Sequence, residues 1–334
     1  MEFDLAFIWA GIIAFAVLTY VILDGFDLGL GILFPFAKTD LDRDMMMNSV
    51  APVWDGNETW LVMGGGGLFA VFPLAYAVIM PALYMPITLM LLALIFRGVA
   101  FEYRWRTAKW KYVWDRAFFF GSLLAAFTQG IALGALVQGI EIAERAYSGG
   151  WWDWLTPFSI LTGVAVVIGY CLLGATWLVL KTTGELQAQM RSFSIKFGIA
   201  TLFFIGVVSI FTPLQDPVYF QRWFDMPGLL FTAIVPALLA FASWQLFSSL
   251  KKDNDLIPFL ASLGLFVISF IGIGISFYPN IVPPSLTIWQ AAAPDESLSF
   301  ALVGTAILLP IILFYTGYAY WVFHGKVDPE EGYH

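Results

Sequence analysis

Apolar runs long enough to cross a lipid bilayer divide this sequence from beginning to end. A transmembrane helix needs roughly 20 consecutive, mostly apolar residues, and the 334-residue chain contains nine such runs. The runs cover approximately residues 7–34, 52–74, 78–100, 117–140, 157–180, 195–213, 228–250, 256–278 and 298–323. We therefore predict an all-α, polytopic membrane protein with about nine transmembrane helices, in which residues 1–334 form a single integral membrane domain.

The composition excludes a soluble globular domain of this length. Hydrophobic residues make up 60% of the chain and charged residues only 12%. Soluble domains carry about 25% charged residues, because their surface must meet water. The chain therefore needs a membrane as its solvent.

The basic residues predict the orientation of the helices. With nine helices, fourteen of the sixteen Lys and Arg residues fall on one side of the membrane, and only Arg145 and Arg222 fall on the other. Cytoplasmic loops carry the excess of Lys and Arg, so we predict an outside N-terminus and a cytoplasmic C-terminus. Residues 1–4 lack the basic region of a signal peptide, so we expect the first run to be retained as a span.

Ionisable side chains inside a span are costly, which makes them the first candidates for function. Asp24 and Asp27 lie three residues apart in the first run and share one face of a helix. Two neighbouring carboxylates in a low-dielectric medium hold a proton between them, so the pair predicts a proton relay. The alternative is that both acids lie at the cytoplasmic end of the span and face water.

A second group of polar residues opens the second run. Asp55 and Glu58 are again three residues apart, and Trp54 and Trp60 lie on either side of them. Two acids and an asparagine, Asn57, framed by two tryptophans favour a functional site. The alternative is structural, because acids in the first turns of a helix stabilise the positive end of its dipole.

Arg97 and Glu102 form a third group at the predicted cytoplasmic end of the third run. We expect an Arg97–Glu102 ion pair at the membrane boundary; the alternative is a snorkelling arginine beside a solvated acid. Gln129 and Gln138, near or within the fourth run, would extend a hydrogen-bonded path.

The chain lacks the residues that redox cofactors need. Cys171 is the single cysteine, and the two histidines, His324 and His334, lie near the C-terminal end. A membrane haem needs axial His, Met or Cys ligands, and none of the predicted spans contains a histidine. No metal-ligand or nucleotide motif is present either. We expect this chain to bind no haem, metal or nucleic acid.

A weak internal similarity relates two parts of the chain. The matching positions are 150 residues apart: Ala16, Val17, Tyr20 and Leu23 match Val166, Val167, Tyr170 and Leu173. From this we predict a pseudo-repeat of helix bundles over 1–140 and 157–278, followed by a last helix at 298–323. Buried acids and a repeat also suit a proton-coupled secondary transporter. A membrane scaffold whose acids serve only as helix caps is a further alternative.

Five motifs follow one another along the chain. They are DGFDLG at 24–29, WDGN at 54–57, GVAFEYR at 98–104, PPSLTIW at 283–289 and PIILFYT at 310–316. In this order they resemble subunit II of the cytochrome bd-type quinol oxidases, including the cyanide-insensitive branch. The resemblance runs from the first span to the last, with a similar number and spacing of helices.

The resemblance implies a respiratory role. The family's complex oxidises quinol and reduces O2 to water in a prokaryotic cytoplasmic (inner) membrane, and its subunit I holds haems b558, b595 and d. The resemblance implies that subunit II is haem-free, stabilises subunit I and contributes a cytoplasmic proton path. It leaves open small single-helix accessory subunits, bound membrane lipid and a structural quinone.

The candidate proton-path residues are Asp55, Glu58, Trp60, Glu102, Asp24 and Asp27. By matching motif, Asp55 and Trp60 fall on proton-path positions of the family. Glu102 stands at a position where some relatives carry aspartate. Asp24 and Asp27 match the acids of the family's first helix.

Overall fold

The structure is a computed structural model that describes residues 4–226 and 228–328. Its helices are α1 (Leu5–Leu33), α2 (Asp40–Val50), α3 (Trp54–Val71), α4 (Pro73–Ala82), α5 (Tyr84–Arg106), α6 (Lys111–Gln138), α7 (Pro157–Lys181), α8 (Gly184–Phe211), α9 (Pro217–Phe224), α10 (Gly228–Thr232), α11 (Ile234–Lys251), α12 (Leu256–Phe277), α13 (Ile288–Ala291) and α14 (Asp295–Val322). Two short antiparallel pairs complete the fold: β1 (Ile142–Ala143) with β2 (Ala146–Tyr147), and β3 (Asn280–Val282) with β4 (Leu286–Thr287).

Eight helical segments of the described residues are long and apolar enough to cross a membrane. They are Leu5–Phe36, Tyr84–Arg106, Lys111–Gln138, Pro157–Lys181, Gly184–Leu214, Gly228–Lys251, Leu256–Phe277 and Asp295–Val322. The predicted all-α, polytopic fold is therefore confirmed. The remaining predicted run, 52–74, contains α3. This helix has 18 residues, but it is less apolar because Asp55, Asn57 and Glu58 lie in its first turns.

The predicted third span begins too early. Pro73 starts the short helix α4, which ends at Ala82, and α5 then runs from Tyr84 to Arg106. Hydropathy misses these breaks because the apolar sequence continues across them. As a result, Arg97 lies well inside α5 rather than at its end.

The helices pack in two groups that share a central contact. Helices α1, α3, α5 and α6 pack together, α7, α8, α11 and α12 pack together, and α1 and α6 both contact α7. Where α1 meets α7, a Cβ on Gly29 would lie 1.7 Å from the carbonyl oxygen of Tyr170. Only glycine allows backbones to approach so closely. The matching segments of α1 and α7 are thus in contact, and the pseudo-repeat itself stays a prediction.

One end of the bundle collects the lysine- and arginine-rich segments, and we call it the basic end. Salt bridges there join Lys38 to Glu185 at 3.6 Å, Arg191 to Asp255 at 2.7 Å and Lys326 to Asp255 at 2.6 Å. Arg145, between β1 and β2, and Arg222, in α9, lie toward the opposite end. The uneven distribution of charge agrees with the predicted topology. The assignment of the basic end to the cytoplasm stays a prediction.

Candidate functional site between the helices

Arg97 lies at the centre of a group of charges inside the helix bundle. Its side chain is fully buried. Nη1 lies 3.0 Å from Oδ1 of Asp24 and 2.5 Å from Oε1 of Glu58. Nη2 lies 3.6 Å from Oδ2 of Asp27. We call Arg97, Asp24, Asp27 and Glu58 the Arg97 cluster.

The spacing of the acids explains how three helices build this cluster. Asp24 and Asp27 are about one turn apart on α1, so both point from the same face. Glu58 lies in the second turn of α3, which packs on α1. Both aspartates are fully buried, and α1 continues to Leu33. The alternative in which these two acids face water at a helix end is therefore wrong.

Three carboxyl groups in the cluster share one guanidinium. Arginine keeps its charge in proteins, so a fully ionised cluster carries more negative than positive charge. Uncompensated buried charge costs several kcal/mol, and proton uptake by a carboxylate relieves it. The cluster therefore has the composition needed to take up and release a proton.

Several polar atoms of the cluster have no hydrogen-bond partner among the described residues. They are Oδ2 of Asp24, Oδ1 of Asp27, and Nε and Nη2 of Arg97. Most buried polar atoms in proteins are hydrogen-bonded to protein or to water. These atoms are therefore suited to binding water, which would carry protons between the carboxyl groups.

One branch of hydrogen bonds leaves the cluster through Asn57. The Nδ2 atom of Asn57 donates to Oδ2 of Asp27 at 2.8 Å. The hydroxyl of Tyr320, in the last turns of α14, donates to Oδ1 of Asn57 at 2.8 Å. The sequence analysis included Asn57 in the second polar group but named neither Asn57 nor Tyr320 as a proton-path residue.

A second branch leads through Gln129. The Nε2 atom of Gln129 donates to the hydroxyl of Tyr20 at 2.7 Å. The Oε1 atom of Gln129 accepts a hydrogen bond from the hydroxyl of Tyr170, also at 2.7 Å. Tyr20 lies about one turn from Asp24 on α1. Gln129 thus joins two buried tyrosines, and its role in a path to the cluster stays a prediction. Gln138 instead accepts a hydrogen bond from Thr156 at 2.5 Å, near the opposite end of α6.

Three candidate residues lie outside the cluster. Asp55 is exposed on the outer face of α3. Trp60 is buried, with its ring edge-on to Phe15 at 5.8 Å, and its Nε1 atom has no hydrogen-bond partner among the described residues. Glu102 is exposed and lies 3.6 Å from Arg106 on the next turn of α5.

The predicted Arg97–Glu102 ion pair is wrong. Residues five apart on an α-helix point about 140° away from each other, so Arg97 faces the helix bundle while Glu102 faces outward. Arg97 instead pairs with acids 39 to 73 residues away in the sequence. No local pattern in the sequence indicates these partners.

A second buried arginine was also missed. Arg104 Nε lies 2.6 Å from Asp115, Nη1 lies 2.6 Å from Asp44, and Lys111 Nζ lies 3.1 Å from Asp44. The rings of Phe34 and Trp105 cover the guanidinium at 5.4 and 5.2 Å. We call Arg104, Lys111, Asp44 and Asp115 the Arg104 cluster. The sequence analysis used Arg104 and Lys111 only to predict which loops face the cytoplasm.

The described residues contain no group of three or more His, Cys, Asp or Glu side chains that could hold a metal ion. His324 is exposed, with Nδ1 2.5 Å from the carbonyl oxygen of Trp321, and His334 lies outside the described residues. That the chain binds no haem stays a prediction.

Fold and site together define a helical, multi-span membrane protein with buried ionisable groups between its helices. A sequence model of the family described as cytochrome bd terminal oxidase subunit II matches residues 5–323. The chain belongs to this family, as its motifs predicted, and is thus a subunit of an oxidoreductase complex. Family membership therefore favours an oxidase subunit over the two alternatives, a proton-coupled secondary transporter and a membrane scaffold.

Named relatives cover nearly the whole chain. Cytochrome bd-I ubiquinol oxidase subunit 2 of Escherichia coli is 30% identical over 98% of this chain and 96% of its own length. Cytochrome bd ubiquinol oxidase subunit 2 of Bacillus subtilis is 32% identical over 97% of both chains. A chain of the bd oxidase from Geobacillus thermodenitrificans has the same fold, with a TM-score of 0.76 and 17% identity over 96% of this chain and 99% of that chain.

Proposed function

We propose that this chain is the haem-free subunit II of a bd-type quinol oxidase, that it stabilises a haem-bearing subunit I, and that it supplies protons to it. Reduction of O2 to water consumes protons as well as electrons. The observation that carries the proposal is the Arg97 cluster, in which three carboxyl groups meet one buried guanidinium. Intramembrane acids of this kind mark proton pathways.

Glu58 is the entrance to the cluster in this proposal. Its side chain is 24% exposed, whereas those of Asp24 and Asp27 are at most 1% exposed. Asp55 lies about one turn before Glu58 and is exposed, so it can collect protons and pass them to Glu58. Glu102, exposed toward the basic end, adds a second acid at the surface. Trp60 borders this route with an indole Nε1 that has no partner among the described residues.

Beyond the cluster, the Tyr20–Gln129–Tyr170 branch continues the route. Tyr20 lies four residues before Asp24 on α1, about 6 Å farther from the basic end. The two tyrosine hydroxyls and the Gln129 amide offer donors and acceptors in a row, which would orient water molecules that carry the proton. The route therefore runs from the basic end toward the interior of the membrane.

The outer face of α3 is the proposed contact with subunit I. Asp55, Thr59, Val62 and Phe69 are all exposed on this face. A carboxylate facing lipid costs several kcal/mol, so a protein partner that shields Asp55 from lipid, while its carboxylate stays open to water at the basic end, explains why an acid lies there. This places the proton entrance at the junction of the two subunits.

The test compares Glu58→Gln and Asp55→Asn with a matched control, Glu296→Gln, in the assembled oxidase. Glu296 is an exposed acid in the first turn of α14, away from the cluster. We expect oxygen consumption to fall about 10²-fold in Glu58→Gln, the low end of what a positioned proton-transfer group contributes, with haem absorbance unchanged. Asp55→Asn should fall less, and the control should retain full activity. Normal turnover in Glu58→Gln would exclude the proposed path.

A further inference from the structure

Helix α14 is the least embedded of the spanning helices. Only 6% of its most apolar 18-residue stretch is buried, and Leu298 is the single buried residue of the helix. A helix with so few contacts has little packing to fix its position. The side chain of Tyr320 is nevertheless held within the bundle, next to the Arg97 cluster.

Tyr320 is fixed by both its ring and its hydroxyl. The ring lies edge-on to Phe26 and Trp177, with centroids 6.4 and 6.2 Å away. The hydroxyl donates to Oδ1 of Asn57 at 2.8 Å, and Nδ2 of Asn57 donates to Asp27 at 2.8 Å. One residue of α14 is therefore connected through a single amide to a carboxylate of the cluster.

Asp27 and Tyr320 together fix the orientation of the Asn57 amide. If the amide rotated by 180°, Oδ1 would face Oδ2 of Asp27, and two acceptors would repel each other. The hydroxyl of Tyr320 supplies the donor that Oδ1 needs in the observed orientation. Without that donor, a buried amide oxygen is left unsatisfied, which is costly. Asn57 then keeps only its Nδ2 contacts, to Asp27 at 2.8 Å and to the carbonyl oxygen of Leu23 at 3.4 Å, so its position beside Asp27 is less firmly fixed.

Residues 323–327 hold the end of α14 against the basic end of the bundle, and we call this segment the tail clasp. Lys181 Nζ donates to the carbonyl oxygens of Phe323 and Gly325. The backbone N–H of Val327 donates to the carbonyl oxygen of Lys181 at 2.8 Å. Lys326 Nζ donates to Oδ2 of Asp255 at 2.6 Å. These contacts fix the height of α14, because a slide along its axis would break all of them.

Asp255, which pairs with Lys326 of the tail clasp, stays ionised in the pH range of an activity assay. Partial burial alone would raise the pKa of Asp255. The hydrogen bond and charge of Lys326, with Arg191 on the other carboxylate oxygen, instead lower it below its ordinary value of 3.8. A change of pH near neutrality therefore does not protonate Asp255, and the Asp255–Lys326 contact is kept.

We propose that Tyr320 is a positioning residue of the proton path, which orients Asn57 toward Asp27, and that the tail clasp holds Tyr320 in place. This inference rests on the proposed function of the Arg97 cluster. It gives α14 a role beyond spanning the membrane. It also connects the C-terminal tail to the Arg97 cluster, whose four members all lie before residue 100.

The first test is Tyr320→Phe in the assembled oxidase, with Tyr318→Phe as the matched control. Phenylalanine keeps the ring contacts and removes only the hydroxyl, while Tyr318 is 55% exposed on the same helix. We expect turnover to fall about fivefold, which is what the loss of one hydrogen bond is worth. The pH profile of turnover should move toward higher pH by about half a unit, because Asp27 loses a fixed donor. Tyr318→Phe should change neither.

The second test addresses the tail clasp with Lys326→Met, controlled by Lys252→Met. Lys252 is exposed in the α11–α12 turn near the same end. Lys326→Met should shift the pH profile in the same direction as Tyr320→Phe, by a smaller amount. The double variant should resemble Tyr320→Phe alone, because both changes act through the same hydroxyl. Additive shifts in the double variant would contradict the proposed role of the clasp.

Glu58→Gln, measured in parallel, separates the two proposals. If Glu58→Gln slows turnover but Tyr320→Phe leaves both turnover and the pH profile unchanged, the positioning role is wrong and the proton path stands. If Glu58→Gln has no effect, the path itself is wrong, and the role of Tyr320 within it is overturned as well. Intact haem absorbance in each variant shows that the complex has assembled.

Discussion

Arg97 and Arg104 lie two turns apart on α5, both buried, and their clusters differ in the balance of charge. Arg104 and Lys111 face two carboxylates, Asp44 and Asp115, so positive and negative charges balance. Arg97 alone faces three carboxyl groups. The Arg104 cluster thus has the composition of a structural ion network, whereas the Arg97 cluster has an excess of acid.

The two clusters also differ in contact with their surroundings. The acids of the Arg104 cluster are 21% and 27% exposed, so each can meet solvent. In the Arg97 cluster, only Glu58 is exposed to a similar extent, and the two aspartates are sealed inside. An excess of buried acid with one entrance suits proton transfer. A balanced cluster open to water suits stabilisation of a helix end.

The largest effect is expected from removing the single cation of the acid-rich cluster. Arg97→Met leaves Asp24 and Asp27 buried without their counter-ion, and breaking a buried ion pair in this way costs about 3–5 kcal/mol. We expect loss of the assembled complex from the membrane, measured as the haem absorbance that co-purifies with this chain. Normal assembly and turnover in Arg97→Met would contradict the electrostatic account.

Removal of the other arginine should separate stability from activity. Arg104→Met should destabilise the complex by about 1.5–3 kcal/mol, the value of hydrogen bonds to charged groups, because Asp44 keeps Lys111 and both acids keep partial access to water. Thermal unfolding should shift to lower temperature, while turnover per intact complex is unchanged. A turnover defect as severe as that of Glu58→Gln would remove the distinction between the clusters.

A smaller effect is expected in the branch beyond the Arg97 cluster. Gln129→Leu removes both hydrogen bonds that join Tyr20 to Tyr170, so turnover should fall a few-fold through loss of the continuous hydrogen-bond chain. Gln138→Leu, on the same helix but bonded to Thr156, is the control. Equal turnover in the two variants would exclude Gln129 from the path.

The smallest effect is expected at the surface of α5. Glu102 is exposed and paired only with Arg106, at 3.6 Å, and exposed ion pairs contribute little. Glu102→Gln should lower turnover less than about twofold, because other surface acids can deliver protons to Glu58. A defect approaching that of Asp55→Asn would give Glu102 an entry role of its own.

The sequence predicts those parts of the molecule that depend on local pattern. Apolar runs indicate the spans because the bilayer sets their length. Asp24 and Asp27 are recognisable because charge inside such a run is costly. The breaks at Pro73 and Leu83 are harder to see, because the apolar sequence continues through them and hydropathy does not register a change of direction.

The partners within the site depend on contacts between distant helices, and local pattern does not contain them. Arg97 meets Asp24 across 73 residues, and Tyr320 meets Asn57 across 263 residues. Sequence proximity favoured Glu102 as the partner of Arg97, but the helical period turns the two residues apart. Arg104 falls between the predicted third and fourth runs, and its burial becomes evident only when Asp44 of α2 and Asp115 of α6 pair with it.

Proton uptake during a single turnover tests the central claim most directly. The fully reduced oxidase would be mixed with O2, and proton uptake from the basic end followed with a pH-sensitive dye, in Asp27→Asn and in Asp115→Asn of the balanced cluster. We predict that uptake slows about 10²-fold in Asp27→Asn and keeps its normal rate in Asp115→Asn, with haem absorbance intact in both. Normal uptake in Asp27→Asn, or equal slowing in the two variants, would contradict the account.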